Sequence, residues 1–133
     1  MEKKKIILGL ALALLWAKEA SAIKIYCPTK FTKTGDTWQA PAPNVAGADL
    51  PLYTISLLTK GEVTSIANID PTMTLTSSSS QDKITYTFSC PITVVLGDGA
   101  IQTPATASFQ TDKLTNCKPT PNDAPPSVTC STQ

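Results

Sequence analysis

The chain of 133 residues carries 11 basic and 10 acidic side chains, 11 prolines, 4 cysteines and no histidine. It is long enough for one small domain, and the missing histidine excludes Ser-His-Asp and Cys-His catalysis and every His-containing zinc site. The near-neutral balance excludes nucleic acid as a partner and leaves no basic patch for an anionic membrane surface, since both need clustered positive charge.

The chain opens with Lys3, Lys4 and Lys5, continues through an apolar run from Ile6 to Ala17, and reaches the small-x-small pattern Ala20-Ser21-Ala22. A basic n-region, an apolar core and a small-residue site predict a secretory signal peptide over residues 1–22, cut between Ala22 and Ile23. The remaining 111 residues hold seven lysines, no arginine and eight carboxylates, a formal balance of −1. No later apolar stretch approaches the roughly 20 residues needed to span a bilayer, so no membrane span is expected after cleavage. The expected location is periplasmic or secreted, an oxidising setting. Cys27 follows Lys24-Ile25-Tyr26 instead of standing at the cut, which argues against lipid attachment. The mature part has no Asn-x-Ser/Thr acceptor.

Twenty threonines and eleven prolines in the mature part point to an all-β domain over residues 23–118. Ile23–Tyr26 alternates apolar and polar and can open a sheet. Phe31–Thr34 runs into the turn signal Gly35-Asp36, and Thr37–Gln39 reads as a brief strand. Ala40–Pro51, with Pro41, Pro43, Gly47 and Pro51, reads as an extended surface loop. Leu52–Leu58 is the first strong strand, with Tyr53, Ile55 and Leu57 on one face. Lys60-Gly61 suggests a tight turn after which Glu62–Ile69 pairs back as a hairpin. Thr72–Thr76 reads as a short strand and Ser77–Ser80 as a polar loop.

The clearest pattern begins at Ile84, where Ile84, Tyr86, Phe88, Cys90, Ile92, Val94 and Leu96 share one parity. Alternation held that long is the signature of a half-buried strand. Pro91 cannot donate a ladder hydrogen bond, so a bend or an edge is expected there. Gly97-Asp98-Gly99 predicts a hairpin turn, and the return strand carries Ile101, Ala105, Ala107 and Phe109. Leu114–Cys117 reads as the last strand. Residues 119–133 read as a proline-rich tail tethered by Cys130. The expected architecture is a small disulfide-stapled β-sandwich or barrel of about seven to nine short strands.

Four cysteines in a chain with an export signal read as two disulfides. The gaps between Cys27, Cys90, Cys117 and Cys130 match no zinc pattern, so no metal is expected. Cys27–Cys90 with Cys117–Cys130 is the favoured pairing, and Cys27–Cys117 with Cys90–Cys130 the main alternative.

No residue set points to catalysis or a cofactor. Ser80-Gln81-Asp82-Lys83 fits the S-x-x-K spacing, but it leads into a strand, where the first and fourth residues point to opposite faces. Asp98 between glycines is better explained by a turn than by a cation loop. Asp36, Asp49, Glu62 and Asp70 scatter through predicted turns, so a glycosidase-like carboxylate pair has no sequence support. Trp38, the only mature tryptophan, reads first as a core anchor.

Cys27-Pro28 near the mature start, Trp38, Tyr86-Thr87-Phe88 before Cys90, and Asn116-Cys117-Lys118 followed by Cys130 give the chain a likeness to one group of proteins. It resembles small four-cysteine exported proteins of intracellular Gram-negative bacteria, some of them associated with type IV secretion. The resemblance implies a non-enzymatic envelope protein and carries over no functional residue.

The leading expectation is a non-enzymatic exported β-domain that contacts another envelope or host protein. Its expected contact elements are the Ala40–Pro51 loop, an exposed sheet edge and the segment Pro119–Pro126. The alternative is a small-molecule or glycan-binding module stacking ligands on Trp38, Tyr53 or Tyr86. A carboxylate-dependent hydrolase ranks third.

Overall fold

A computed structural model describes residues 22–132. The signal-peptide reading of residues 1–22 therefore lies, Ala22 apart, outside the described residues. Their regular structure is all strand, eleven in number, arranged as a curled seven-stranded sheet and a four-stranded second sheet.

The curled sheet is built on β8, the 14-residue strand Lys83–Leu96. Its even-numbered side chains from Tyr86 to Leu96 are buried and the odd ones between them half-buried. The period-two pattern thus sends Phe88, Cys90, Ile92 and Val94 into one core. β9 (Ile101–Thr111) pairs antiparallel with β8 from Tyr86↔Thr111 to Val95↔Ile101. The two join through Gly97-Asp98-Gly99. Gly99 takes φ +86°, and the Asp98 carboxylate accepts the Ala100 N–H at 2.9 Å, so Asp98 is a turn residue.

On its other flank β8 has two partners in succession. β7 (Thr74–Ser80) covers Lys83–Ser89, and β6 (Val63–Ile69) covers Ile92–Leu96. Pro91 stands where one partner hands over to the next. Its carbonyl faces that flank and accepts the Asp70 N–H at 2.9 Å. The N–H that proline lacks would point the same way, into a gap where no ladder acceptor waits. The strand consequently continues through Pro91 without a break.

β7 replaces the polar loop expected at Ser77–Ser80. Gln81 and Asp82 take φ +51° and +67°, the two positive angles of a tight primed hairpin turn, and Ser80 pairs across to Lys83. The S-x-x-K residues are therefore cross-strand neighbours at a turn. The serines extend because their backbone is satisfied by β8.

Beyond β9 lie β5 (Tyr53–Ser56), β3 (Thr37–Ala40) and β2 (Thr32–Thr34), in the order β2-β3-β5-β9-β8-β6. Lys60-Gly61 therefore closes no hairpin: β5 and β6 sit on opposite flanks of the β8–β9 pair. β6 also departs from period two. Register shifts leave Thr64 and Ala67 as extra residues opposite β8, and Val63, Ile66 and Ile69 become its more buried positions at a spacing of three.

The second sheet runs β10 (Leu114–Thr120), β11 (Ser127–Thr132), β1 (Ala22–Ile25) and β4 (Asn44–Val45). The expected tail is thus a strand inside a sheet. β11 pairs with β10 on one side and β1 on the other, with Val128 and Cys130 each 1% exposed. Pro121, Pro125 and Pro126 are confined to the connection before it, and Pro119 is tolerated because β10 is the sheet's edge. The strand total exceeds the expected seven to nine partly through pieces such as β2 and β4, of three and two residues, which carry no pattern of their own.

Cys27 bonds Cys90 and Cys117 bonds Cys130, the favoured pairing. Between Thr115 and Lys118 the β10 register slips against β11, with Asn116 at φ +53°. That bulge places two residues opposite Cys130, one of them Cys117. Cys27–Cys90 fastens the segment after β1 to the middle of β8. Inside, Phe109 stacks on Phe88 at 4.7 Å and meets Tyr53 edge-on at 4.9 Å, joining β5, β8 and β9 through one aromatic trio. The β10–β11 connection is tied back to β1, where Lys24 Nζ meets Asp123 Oδ2 at 2.9 Å.

Two outcomes follow from these crosslinks. Replacing Cys27 and Cys90 together by alanine frees a 63-residue separation and should cost about 4 kcal/mol by loop entropy, against about 3 kcal/mol for the Cys117–Cys130 pair. Urea unfolding of the two double variants checks the order. The Lys24 ammonium, then the Ser127 hydroxyl, hold Asp123 below its ordinary pKa of 3.8. A carboxylate lowered in the folded state stabilises above its unfolded pKa, and that contribution is lost as pH falls through the folded value. Asp123→Asn should therefore lower the urea midpoint at neutral pH, and its deficit should shrink as pH falls through the lowered Asp123 value.

Candidate functional site

The curled sheet does not close. β6 ends it on one side and β2 on the other, and each has a ladder partner on one flank only. Trp38 bridges the opening. It reaches from β3 to β6 and donates its indole Nε1–H to the Val63 carbonyl at 3.0 Å. The ring is half-buried, and Lys33 Nζ lies 5.8 Å from its centroid.

Three cavities follow this seam. The first, 240 Å³, lies between Asp36–Trp38, Ile55, Leu57 and Gly61–Val63. The second, 530 Å³, lies between Lys30, Phe31, Trp38 and the consecutive β6 residues Ser65–Ile69. The third, 510 Å³, is walled by Tyr26, Cys27, Pro28, Pro43, Pro71 and Pro125. Trp38 borders the first two, while Thr29 and Ile69 border the last two. The three therefore form one groove beside β6, from Gly61 to Pro71. At about 3.3 Å per residue, the seven residues of β6 alone span about 23 Å.

The groove has chemical polarity. Asp36 and Glu62 mark the end at the start of β6, with no cation lining that cavity. Lys30 lies in the middle, where no carboxylate lines the wall. The far end is four prolines, Ile69 and the Tyr26 ring beside the Cys27–Cys90 bond. There Cys27 Sγ lies 3.4 Å from the Pro71 carbonyl oxygen.

Of the three aromatics considered as stacking platforms, only Trp38 is at this site. Tyr53 is 0% exposed and donates its hydroxyl to the Tyr26 carbonyl at 3.0 Å; burial pushes its phenol pKa well up. Its parity on β5 puts it in the core against Phe109, so it cannot stack a ligand. Tyr86 is likewise buried, being on the inward parity of β8, with the Cys117 N–H 3.5 Å from its hydroxyl. Both aromatics correct the glycan-stacking expectation.

Among the carboxylates, Asp36 and Glu62 share the first cavity, whereas Asp49 and Asp70 do not join them. The Thr72 N–H, bound at 2.9 Å, holds Asp70 below the ordinary carboxylate range. No group of three His, Cys, Asp or Glu residues is placed to hold a metal ion among the described residues. No helix among them is long and apolar enough to cross a membrane.

The Ala40–Pro51 segment is largely loop, held by its own contacts. Asn44 donates to the Ala42 and Ala48 carbonyls at 3.1 and 3.3 Å and accepts the Ala48 N–H at 2.8 Å. Sequence reading named an exposed edge without locating it. The signal was the three-residue spacing of Val63, Ile66 and Ile69, which belongs to neither a plain strand nor a hairpin arm. Comparison of the chain with protein-family models, curated proteins and solved structures finds no match.

Trp38→Phe should cost about 1 kcal/mol for the lost hydrogen bond. It should also speed amide exchange in β6 relative to β9. Unchanged β6 exchange would show that the indole does not hold the seam.

Proposed function

We propose that the protein is a non-enzymatic, exported β-domain that binds another protein along the β6 groove, in a bacterial envelope or outside the cell. One observation carries this reading: three cavities run end to end beside a strand with no ladder partner on its groove side. A small molecule calls for a concave pocket with convergent polar groups. A channel as long as β6, walled by strand backbone, suits an elongated macromolecular ligand better. The two disulfides fit an oxidising compartment, and the amino-terminal sequence supports export.

The glycan-stacking alternative is weakened by the burial of Tyr53 and Tyr86. Of the expected contact elements, the sheet edge moves to first place. The Pro119–Pro126 segment is anchored at both ends by β10 and β11 and sends Pro125 to the groove's apolar end.

A photo-crosslinking residue at Ala67, which is exposed on β6, tests this in the source cells. Ala67 should give a discrete protein adduct that the same residue at Lys118, exposed on β10 of the other sheet, does not. Adducts absent at Ala67, or identical at both positions, would remove the reading.

A further inference from the structure

We infer that the groove's occupant is an extended strand running antiparallel to β6, apolar at its amino end, acidic in its middle and basic at its carboxyl end. This rests on the docking reading above and names the partner's chemistry.

The first argument is the backbone. β6 pairs with β8 on one flank only. On the groove side, one backbone acceptor, the Val63 carbonyl, is taken by Trp38 Nε1. An exposed strand edge is a template for another strand, and main-chain pairing needs no particular sequence.

The second argument is direction. Every pairing in the curled sheet is antiparallel, and antiparallel pairs are the commoner kind. A strand that extends the sheet at its β6 edge in the same pattern runs opposite to β6.

The third argument is charge. β6 leaves Glu62 and Asp36 at its start, passes Lys30, and ends among prolines. An antiparallel occupant meets these in reverse, prolines first and carboxylates last. Complementarity then fixes its own order as apolar, acidic, basic.

A second copy of this chain does not fit. Its β6, laid antiparallel, would bring Asp70 to the end held by Asp36 and Glu62, and its Glu62 to the prolines. Specificity against self thus comes from the same residues that admit the partner.

Two capped peptides of identical composition test the inference by NMR titration of the purified protein. One reads Val-Ile-Thr-Val-Glu-Val-Lys-Lys, and the other is its exact reverse sequence. The first should bind about tenfold tighter, slow amide exchange in β6 and shift the Trp38 indole N–H signal. A spin label on its amino end should broaden Ile69 and Thr72 before Glu62. Asp36→Lys with Glu62→Lys, both exposed positions, should reverse the preference.

Equal binding of the two peptides, or a label that broadens Glu62 first, would overturn the assigned order and direction. Failure of both peptides alongside an adduct at Ala67 would overturn the strand occupant and leave the docking reading standing. Failure of both peptides with no adduct would remove both.

Discussion

One strand constrains the whole molecule. Phe88, Cys90, Ile92 and Val94 are each 2% exposed or less, all on one side of β8. Every other strand of the curled sheet attaches to β8 directly or through β9. Phe88, Ile92 and Val94 are each worth about 1.5–3 kcal/mol on burial, so that face outweighs any single hydrogen bond. Cys90 lies on it and carries the covalent link to Cys27. Pro91 sits at the one point of that strand where a missing donor costs nothing.

The open seam follows from β6. A regular strand of period two would place alternate residues inward and could lie flat against a neighbour. With Thr64 and Ala67 bulged, the apolar triplet Val63, Ile66 and Ile69 takes the more buried positions while Thr64, Ser65, Ala67 and Asn68 are exposed. The strand stays anchored to β8 and makes no ladder with β2. Trp38 spans what remains with a single indole hydrogen bond. The proposed docking function depends on that geometry: a fully closed barrel would have no free edge to offer.

Much of the fold was legible because alternation over long strands is a strong signal. β8, β9, their turn and the inward parity of Tyr53, Ile55 and Leu57 can all be read from residue order. Where tertiary partners overrule local chemistry, reading fails. Ser77–Ser80 looks like a loop and is a strand because β8 satisfies its backbone. Residues 127–132 look like the end of a tail and are a strand because β1, at the other end of the described chain, supplies the partner. The candidate site was the least legible part. Trp38 could be named, but nothing local ties Lys30, Glu62 and Pro71 to one groove. Bulges that erase the period-two signal hid the edge that joins them.

The order of the sulfur bridges has a consequence for how the chain matures. First joins second and third joins fourth. A polypeptide that emerges amino end first would offer Cys27 only Cys90 as a mate until 27 further residues had passed. Oxidation in order of appearance gives the native connectivity, with no wrong bridge to be undone by an isomerase. On its β11 side β1 has to wait much longer, since that neighbour arrives last. β4 reaches β1 early, but the four-stranded sheet can be completed only once residues 127–132 have emerged.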